Sequence, residues 1–271
     1  MHPILDKLRY FWNNQGCTWK LPYDKSIAAA TFHPSTIFGA LSNTKEDCCY
    51  YSYSRRTIDG RLNSQDRLHR HLQFQVIIHS LHQGRQPRQE YLSSLDYIGI
   101  TTKENAISFL CNNWENTSIG AYGQGWEVMC NSVEITQITY FRKMGDIPCP
   151  HPIVEITYGI ERILGCLKDN PMTLREIEEV EGALEQDYSA FLKDTSILEE
   201  IYTIHGLDKR LEILQKLIEK KYLWVAYDHM LETCEYFNML DTTGKINQIL
   251  REKYIIKIRK ITNHICTLHT K

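Results

Sequence analysis

Five arginines stand close together in one stretch, Arg55, Arg56, Arg61, Arg67 and Arg70, amid polar residues and a glycine. Immediately afterwards Leu72, Phe74 and Val76 alternate with Gln73 and Gln75. Period-two alternation is the mark of a strand whose two faces meet different surroundings. A solvated, permanently charged loop therefore feeds a strand that carries one aromatic ring and two amides. Arginine's planar fork binds phosphate oxygens in pairs, and a ring or an amide edge suits a flat base. The pattern fits a polyphosphate ligand with an attached base. Either Phe74 faces that ligand and the glutamines turn away, or the reverse; alternation alone does not choose the register.

The texture on either side limits the architecture. Residues 17–163 read as short segments rich in Tyr, Ile, Val and Thr, broken by Gly, Pro, Asn and Asp, with 132–141 and 153–158 as central strands. Regular strand–helix–strand alternation is missing, and so are G-x-G-x-x-G and G-x-x-x-x-G-K-[ST], which argues against Rossmann and P-loop folds. Antiparallel strands with helices around them predict an α+β domain. Ahead of it, Pro3 opens a helix that Gly16 ends, with Ile4, Leu8, Phe11 and Trp12 on one face. Beyond about residue 170 the chain turns helical. Thr173–Glu176 and Ser196–Glu199 fit the capping-box pattern. Leu211, Leu214, Leu217 and Ile218 recur at helical spacing, as do Ile246, Leu250, Tyr254, Ile258, Ile261 and Ile265. The expected division is 1–168 and an all-helical 169–271.

A net charge of −2 excludes a surface that binds nucleic acid throughout, so any RNA contact is local or comes from a partner. Nine cysteines include no C-x-x-C pair, which favours reduced thiols over a zinc site. The first residues lack the apolar centre and small-residue cleavage site of a signal peptide. No run approaches the ~20 apolar residues of a membrane span. A soluble, cytoplasmic protein with no membrane association is expected.

An ordered set of phrases adds a resemblance. Gln15-Gly16-Cys17-Thr18, Thr31-Phe32-His33-Pro34, Ser54-Arg55-Arg56, Asp59-Gly60-Arg61 and Gln73-Phe74-Gln75-Val76 are followed by Asn113-Trp114-Glu115, Gly125-Trp126-Glu127-Val128, Glu134-Ile135-Thr136-Gln137 and Glu155 through Arg162. Ala226-Tyr227-Asp228, Phe237-Asn238-Met239-Leu240-Asp241 and Arg251-Glu252-Lys253-Tyr254-Ile255 close the series. In this order they resemble the α subunit of the bacterial type of glycyl-tRNA synthetase, a class II aminoacyl-tRNA synthetase. The chain departs from that pattern at Tyr53 and Thr57, where the family usually carries proline, at Asp241-Thr-Thr-Gly244, and most widely between 165 and 224.

The resemblance implies a class II antiparallel sheet with a helical C-terminal region, and a reaction in two steps. Glycine and ATP give glycyl-adenylate, and the amino acid then passes to tRNA(Gly) with a β subunit's help, in an α2β2 assembly whose α subunits form a homodimer. Arg55 is expected on the α-phosphate, Arg56 beside it and Arg162 on the γ-phosphate. Phe74 is expected on adenine, with Gln75, Glu134 and Gln137 among the ATP-binding residues and Glu134 a Mg2+ ligand. Thr31, Trp126, Glu127, Glu155 and Glu161 are candidates for glycine, with Trp126 as a wall against larger side chains. Asp59 and Arg61 read either as a loop tip facing the tRNA acceptor end or as a polar surface turn. The rival readings are a catalytically impaired synthetase-like protein that binds ATP or an amino acid, and a metal or redox protein using the cysteines.

Overall fold

The computed structural model describes residues 3–43, 46–56, 68–79, 84–167 and 179–271. Helix α1 (Pro3–Asn14) buries Ile4, Leu5, Leu8 and Trp12, while Phe11 is only half-buried. Gly16 ends it at φ 87°, a conformation that favours glycine. Strands β1 (Thr18–Trp19), β2 (Cys48–Arg55), β3 (Arg70–Ile78), β4 (Ile107–Asn116), β5 (Ala121–Cys130), β6 (Val133–Met144) and β7 (Ile147–Gly159) form one sheet in the order β1-β2-β3-β7-β6-β5-β4. Among the described strands β1 and β2 pair parallel and the other strand pairs are antiparallel. The expected α+β architecture is present.

Helices α2 (Pro34–Leu41), α3 (Pro87–Ile98) and α4 (Ile160–Cys166) lie around the sheet. They are followed by α5 (Glu179–Phe191), α6 (Thr195–Ile201), α7 (Ile204–Glu219), α8 (Leu223–Thr242) and α9 (Gln248–His269). One sheet face carries Phe74, Val76, Ile78, Val154, Ile156 and Tyr158, which pack with α1, α3 and α4. The opposite face is divided. Toward one end Ile77, Phe141, Met144 and Ile153 join α2, α7, α8 and α9 in a second core. Toward the other end the same face turns polar and opens into a cavity. Both long apolar stripes after residue 200 face that second core, with Leu217 and Leu250 only partly buried.

One detail differs from the sequence expectation. Helix α6 starts earlier than the Ser196–Glu199 box implies: Asp194 caps it, its carboxylate accepting the Ser196 and Ile197 amides at 3.2 and 3.3 Å. With the helix beginning at Thr195, Ser196 already lies inside its first turn, and its hydroxyl donates to the Asp194 carboxylate at 2.6 Å instead of capping. The Thr173–Glu176 box lies outside the described residues.

Between β5 and β6 the backbones approach so closely that a Cβ at Gly125 would sit 1.9 Å from the Ile138 carbonyl oxygen. Gly125→Ala is expected to destabilise the protein by at least the ~1–3 kcal/mol of an overpacked core, because the obstacle is backbone and cannot rotate away. Thermal denaturation checks this; an unchanged midpoint would show that the strands separate freely.

Candidate active site

The cavity, about 540 Å3, lies over the polar part of the sheet. Its wall includes Arg55 and Arg56 at the end of β2, His71 and Gln73 on β3, Glu155 and Thr157 on β7, and Glu161 and Arg162 in the first turn of α4. Asn112 and Trp114 of β4, Glu127 of β5 and Glu134 and Gln137 of β6 line its other side. Two arginines more than a hundred residues apart, Arg55 and Arg162, thus border one space. Strand β2 stops at Arg55, so the strict face alternation that would separate Arg55 from Arg56 no longer applies, and both reach the cavity.

Strand pairing decides the register question on β3. Gln73, Gln75 and Ile77 lie opposite Gly159, Thr157 and Glu155, on the cavity side. Phe74 lies opposite Tyr158, is 0% exposed, and contacts the Trp19 and Tyr158 rings in the other core. Phe74 is therefore a core residue here and does not border the cavity, which corrects the adenine-stacking expectation. Gln75 is also off the cavity lining. It stands behind Glu155, its Nε2 donating to Glu155 Oε1 at 2.7 Å.

Glu155 is the most enclosed charge of the site, at 1% exposure. Besides Gln75 it accepts a hydrogen bond from Thr31 Oγ1 at 2.8 Å, and Thr157 is a further donor. Burial raises its pKa to about 7 despite these donors. Thr31 sits in a short 3-10 turn, Ala30–Phe32, whose Ala30 amide donates to Gln73 Oε1 at 3.1 Å. The Ser54 hydroxyl donates to the same oxygen. His33 follows the turn and caps α2, its Nδ1 accepting the Ser35 amide at 3.0 Å and Nε2 contacting the Leu21 carbonyl oxygen at 3.2 Å. Its ring stacks on Tyr50 at 4.0 Å, and burial lowers its pKa to about 4, so it stays neutral.

Arg162 Nη1 donates to the Glu134 carbonyl and to Glu134 Oε2, both at 2.9 Å. Helix α4 has only seven residues, so the positive field here comes from the guanidinium rather than from a helix end. Glu161 accepts the Leu72 amide, which ties α4 to β3; desolvation raises its pKa to about 7. Glu127 accepts from Asn112 Nδ2 at 2.7 Å. Arg55 is exposed, its guanidinium 6.0 Å from the Tyr188 ring of α5, and the α5 residue Glu185 accepts the His69 amide at 2.6 Å.

Trp126 is not part of this wall. It faces the other side of β5, beside Phe109 and Tyr140 and under Arg88, and borders a separate depression. The tryptophan that does line the cavity is Trp114, held edge-on by Phe141 at 5.6 Å. Asp59 and Arg61 lie outside the described residues. Sequence reasoning held Gln73 only as the alternative to Phe74, and passed over Thr157, Asn112, Trp114 and Asn238 as site residues. The strand alternation around Gln73 and Thr157 was the available signal, while nothing local marked Asn238 of α8.

Comparison with known proteins adds three findings. The family described as glycyl-tRNA synthetase alpha subunit matches residues 1–271. The glycine–tRNA ligase alpha subunit of Buchnera aphidicola subsp. Baizongia pistaciae is 34% identical over 284 residues, covering 100% of this chain and 94% of that protein. A pyrrolysyl tRNA synthetase of Desulfitobacterium hafniense, present in two solved structures, matches with TM-score 0.38 and 14% identity in both. The match covers 59% of this chain in each case, and 66% and 67% of the other; so weak a likeness carries no argument.

Proposed function

The chain belongs to the glycyl-tRNA synthetase alpha subunit family, and from that premise we propose that it is the catalytic subunit of a glycine–tRNA ligase working with a β subunit. The glycine carboxylate attacks the α-phosphorus of ATP, the bond to the bridging oxygen breaks, and pyrophosphate leaves. The 3′-terminal ribose hydroxyl of tRNA(Gly) then attacks the adenylate carbonyl and AMP departs. A carboxylate is already a nucleophile, so the first step asks only for alignment of two anions and for neutralised charge. The observation that carries this reading is the shared cavity of Arg55, Arg162 and Glu155.

In that cavity Arg55 takes the α-phosphate, Arg56 supports it, and Arg162 takes the distal phosphate. Gln137 and Glu134 lie along the same path. Glu155, steered by Thr31, Gln75 and Thr157, receives the glycine ammonium. Trp114, in the place foreseen for Trp126, limits the room for a larger side chain. Glu127 and Glu161 serve the pocket by holding Asn112 and the β3 backbone. Glu134, which borders the cavity beside Arg162, is a hard oxygen donor of the kind Mg2+ takes together with phosphate oxygens, and it is the residue that would hold the ion. When bound it would supply further charge neutralisation on the polyphosphate.

The working assembly is proposed to be α2β2, with the α subunits paired through residues 1–168 as the catalytic core and 169–271 as the helical region. No helix among the described residues is long and apolar enough to cross a membrane, and the proposed setting is the cytoplasm. Pyrophosphate exchange dependent on glycine, measured with the β subunit present, is the direct test. Exchange with glycine and not with alanine is the expected result. ATP binding with no exchange would instead select a non-catalytic relative.

A further inference from the structure

Segment 20–33 forms one wall of the cavity, through Ala28, Ala29 and Thr31. Its inner side is tied to the sheet: Ala30 to Gln73, Thr31 to Glu155, and the Ala30 carbonyl to the Tyr50 hydroxyl at 3.1 Å. Its outer side is tied to one helix of the C-terminal region. The Tyr227 hydroxyl, wholly buried, donates to the Phe32 carbonyl at 2.5 Å. One residue on, Asp228 accepts the Tyr23 hydroxyl, and Glu232 pairs with Lys25 at 3.2 Å. Three turns beyond Tyr227, on the same side of the helix, Asn238 lines the cavity itself. Helix α8 is in turn fixed by its own apolar side, where Met230, Leu231 and Phe237 are buried in the second core.

We propose that α8 is a positioning element for the ammonium pocket and that Tyr227 is the residue through which it acts. The inference rests on the reading that glycine's ammonium sits at Glu155. Thr31 directs one oxygen of that carboxylate and immediately precedes Phe32, whose carbonyl Tyr227 holds. With the hydroxyl gone, a buried carbonyl loses its partner, the 3-10 turn relaxes, and Thr31 no longer holds the Glu155 rotamer. Arg162 stands on another element, and Arg55 and Arg56 meet this segment earlier, at the Ile27 and Ala28 carbonyls, ahead of the turn that Tyr227 holds. A helix outside the sheet thus acts chiefly on recognition of one substrate. This also gives the Ala226-Tyr227-Asp228 phrase a physical role.

The test compares Tyr227→Phe, Tyr23→Phe and Tyr236→Phe in the full chain with its β subunit. Tyr236 is the control on the same helix: its hydroxyl bonds only within the helical region, to the Thr203 amide at 2.9 Å and the Ile201 carbonyl at 3.1 Å. In pyrophosphate exchange, Tyr227→Phe should raise KM for glycine by roughly five- to tenfold, the worth of one buried hydrogen bond, with KM for ATP unchanged. Tyr23→Phe should move in the same direction, and Tyr236→Phe should leave both KM values alone while lowering Tm. Hydrogen exchange across residues 28–36, which needs no substrate, should quicken in Tyr227→Phe and not in Tyr236→Phe. Unchanged exchange protection, or equal rises in both KM values, would overturn the proposal. Quickened hydrogen exchange without glycine activation by the wild type would uphold the buttress and sink the functional reading instead.

Discussion

Glu155→Gln is expected to abolish glycine-dependent pyrophosphate exchange and, above pH 7, to make the ligand-free protein more stable than the wild type. The two effects share a cause. A carboxylate at 1% exposure is held ionised against the desolvation penalty, which is why its pKa rises to about 7. The sign follows from linkage. A carboxyl group whose folded pKa exceeds its unfolded value adds stability that is complete below about pH 4.5. That contribution disappears as pH rises through about 7. The difference is on the order of 3 kcal/mol by the conversion of pKa shift to free energy. Glutamine carries no charge to desolvate; its Oε1 can keep the hydrogen bond from Gln75 Nε2, and its amide can donate to the Thr31 hydroxyl oxygen. Denaturation of both proteins at pH 5 and pH 8 measures the effect; a variant less stable than wild type at pH 8 would show that the carboxylate stabilises the empty site. For the same reason glycine binding by the wild type should tighten from pH 6 to 8, as Glu155 becomes available as an anion.

The second large effect belongs to Arg55. Arg55→Ala should lower kcat/KM for ATP in pyrophosphate exchange by about 10²–10³, the loss typical of one electrostatic donor to developing charge. Its stability cost should be within about 0.5 kcal/mol, because Arg55 is exposed and its ring neighbour Tyr188 is 6.0 Å away. Arg55→Lys should recover little, since an ammonium lacks the paired fork that grips two phosphate oxygens. Steady-state kinetics with a parallel melting curve distinguish this from unfolding. Loss of stability in step with loss of activity would mean that the arginine holds the fold, not the nucleotide.

How far the chain can be read without coordinates depends on the kind of contact involved. Strands and helices were legible because periodicity is local. The arginines stood out because a guanidinium-rich loop suits anions, and Arg55 and Arg162 border one cavity. Phe74 was not legible: strict alternation offers two faces, and only its pairing opposite Tyr158 assigns the ring to the core. Trp126 misled for the same reason, since a tryptophan among glycines packs as readily behind a sheet as in front of it. Asp194 displaced Ser196 as a cap because its carboxylate starts the helix two residues earlier, on the Ser196 and Ile197 amides. Tyr227 could not have been placed, because its partner Phe32 lies 195 residues earlier, and neither could Asn238, because nothing in an amphipathic helix records what it leans on.

The sheet face that holds the cavity continues without interruption into the apolar row of Ile77, Phe141 and Ile153, covered by helices from the last seventy residues. Chemistry and packing therefore occupy adjoining parts of one surface, with no seam of solvent between them. An exchange of modules at that boundary would have to reproduce the helices' inner contour, or the pocket floor would tilt with whatever replaced them. The outward sides, where Ile249 stands open to water, carry no such packing constraint.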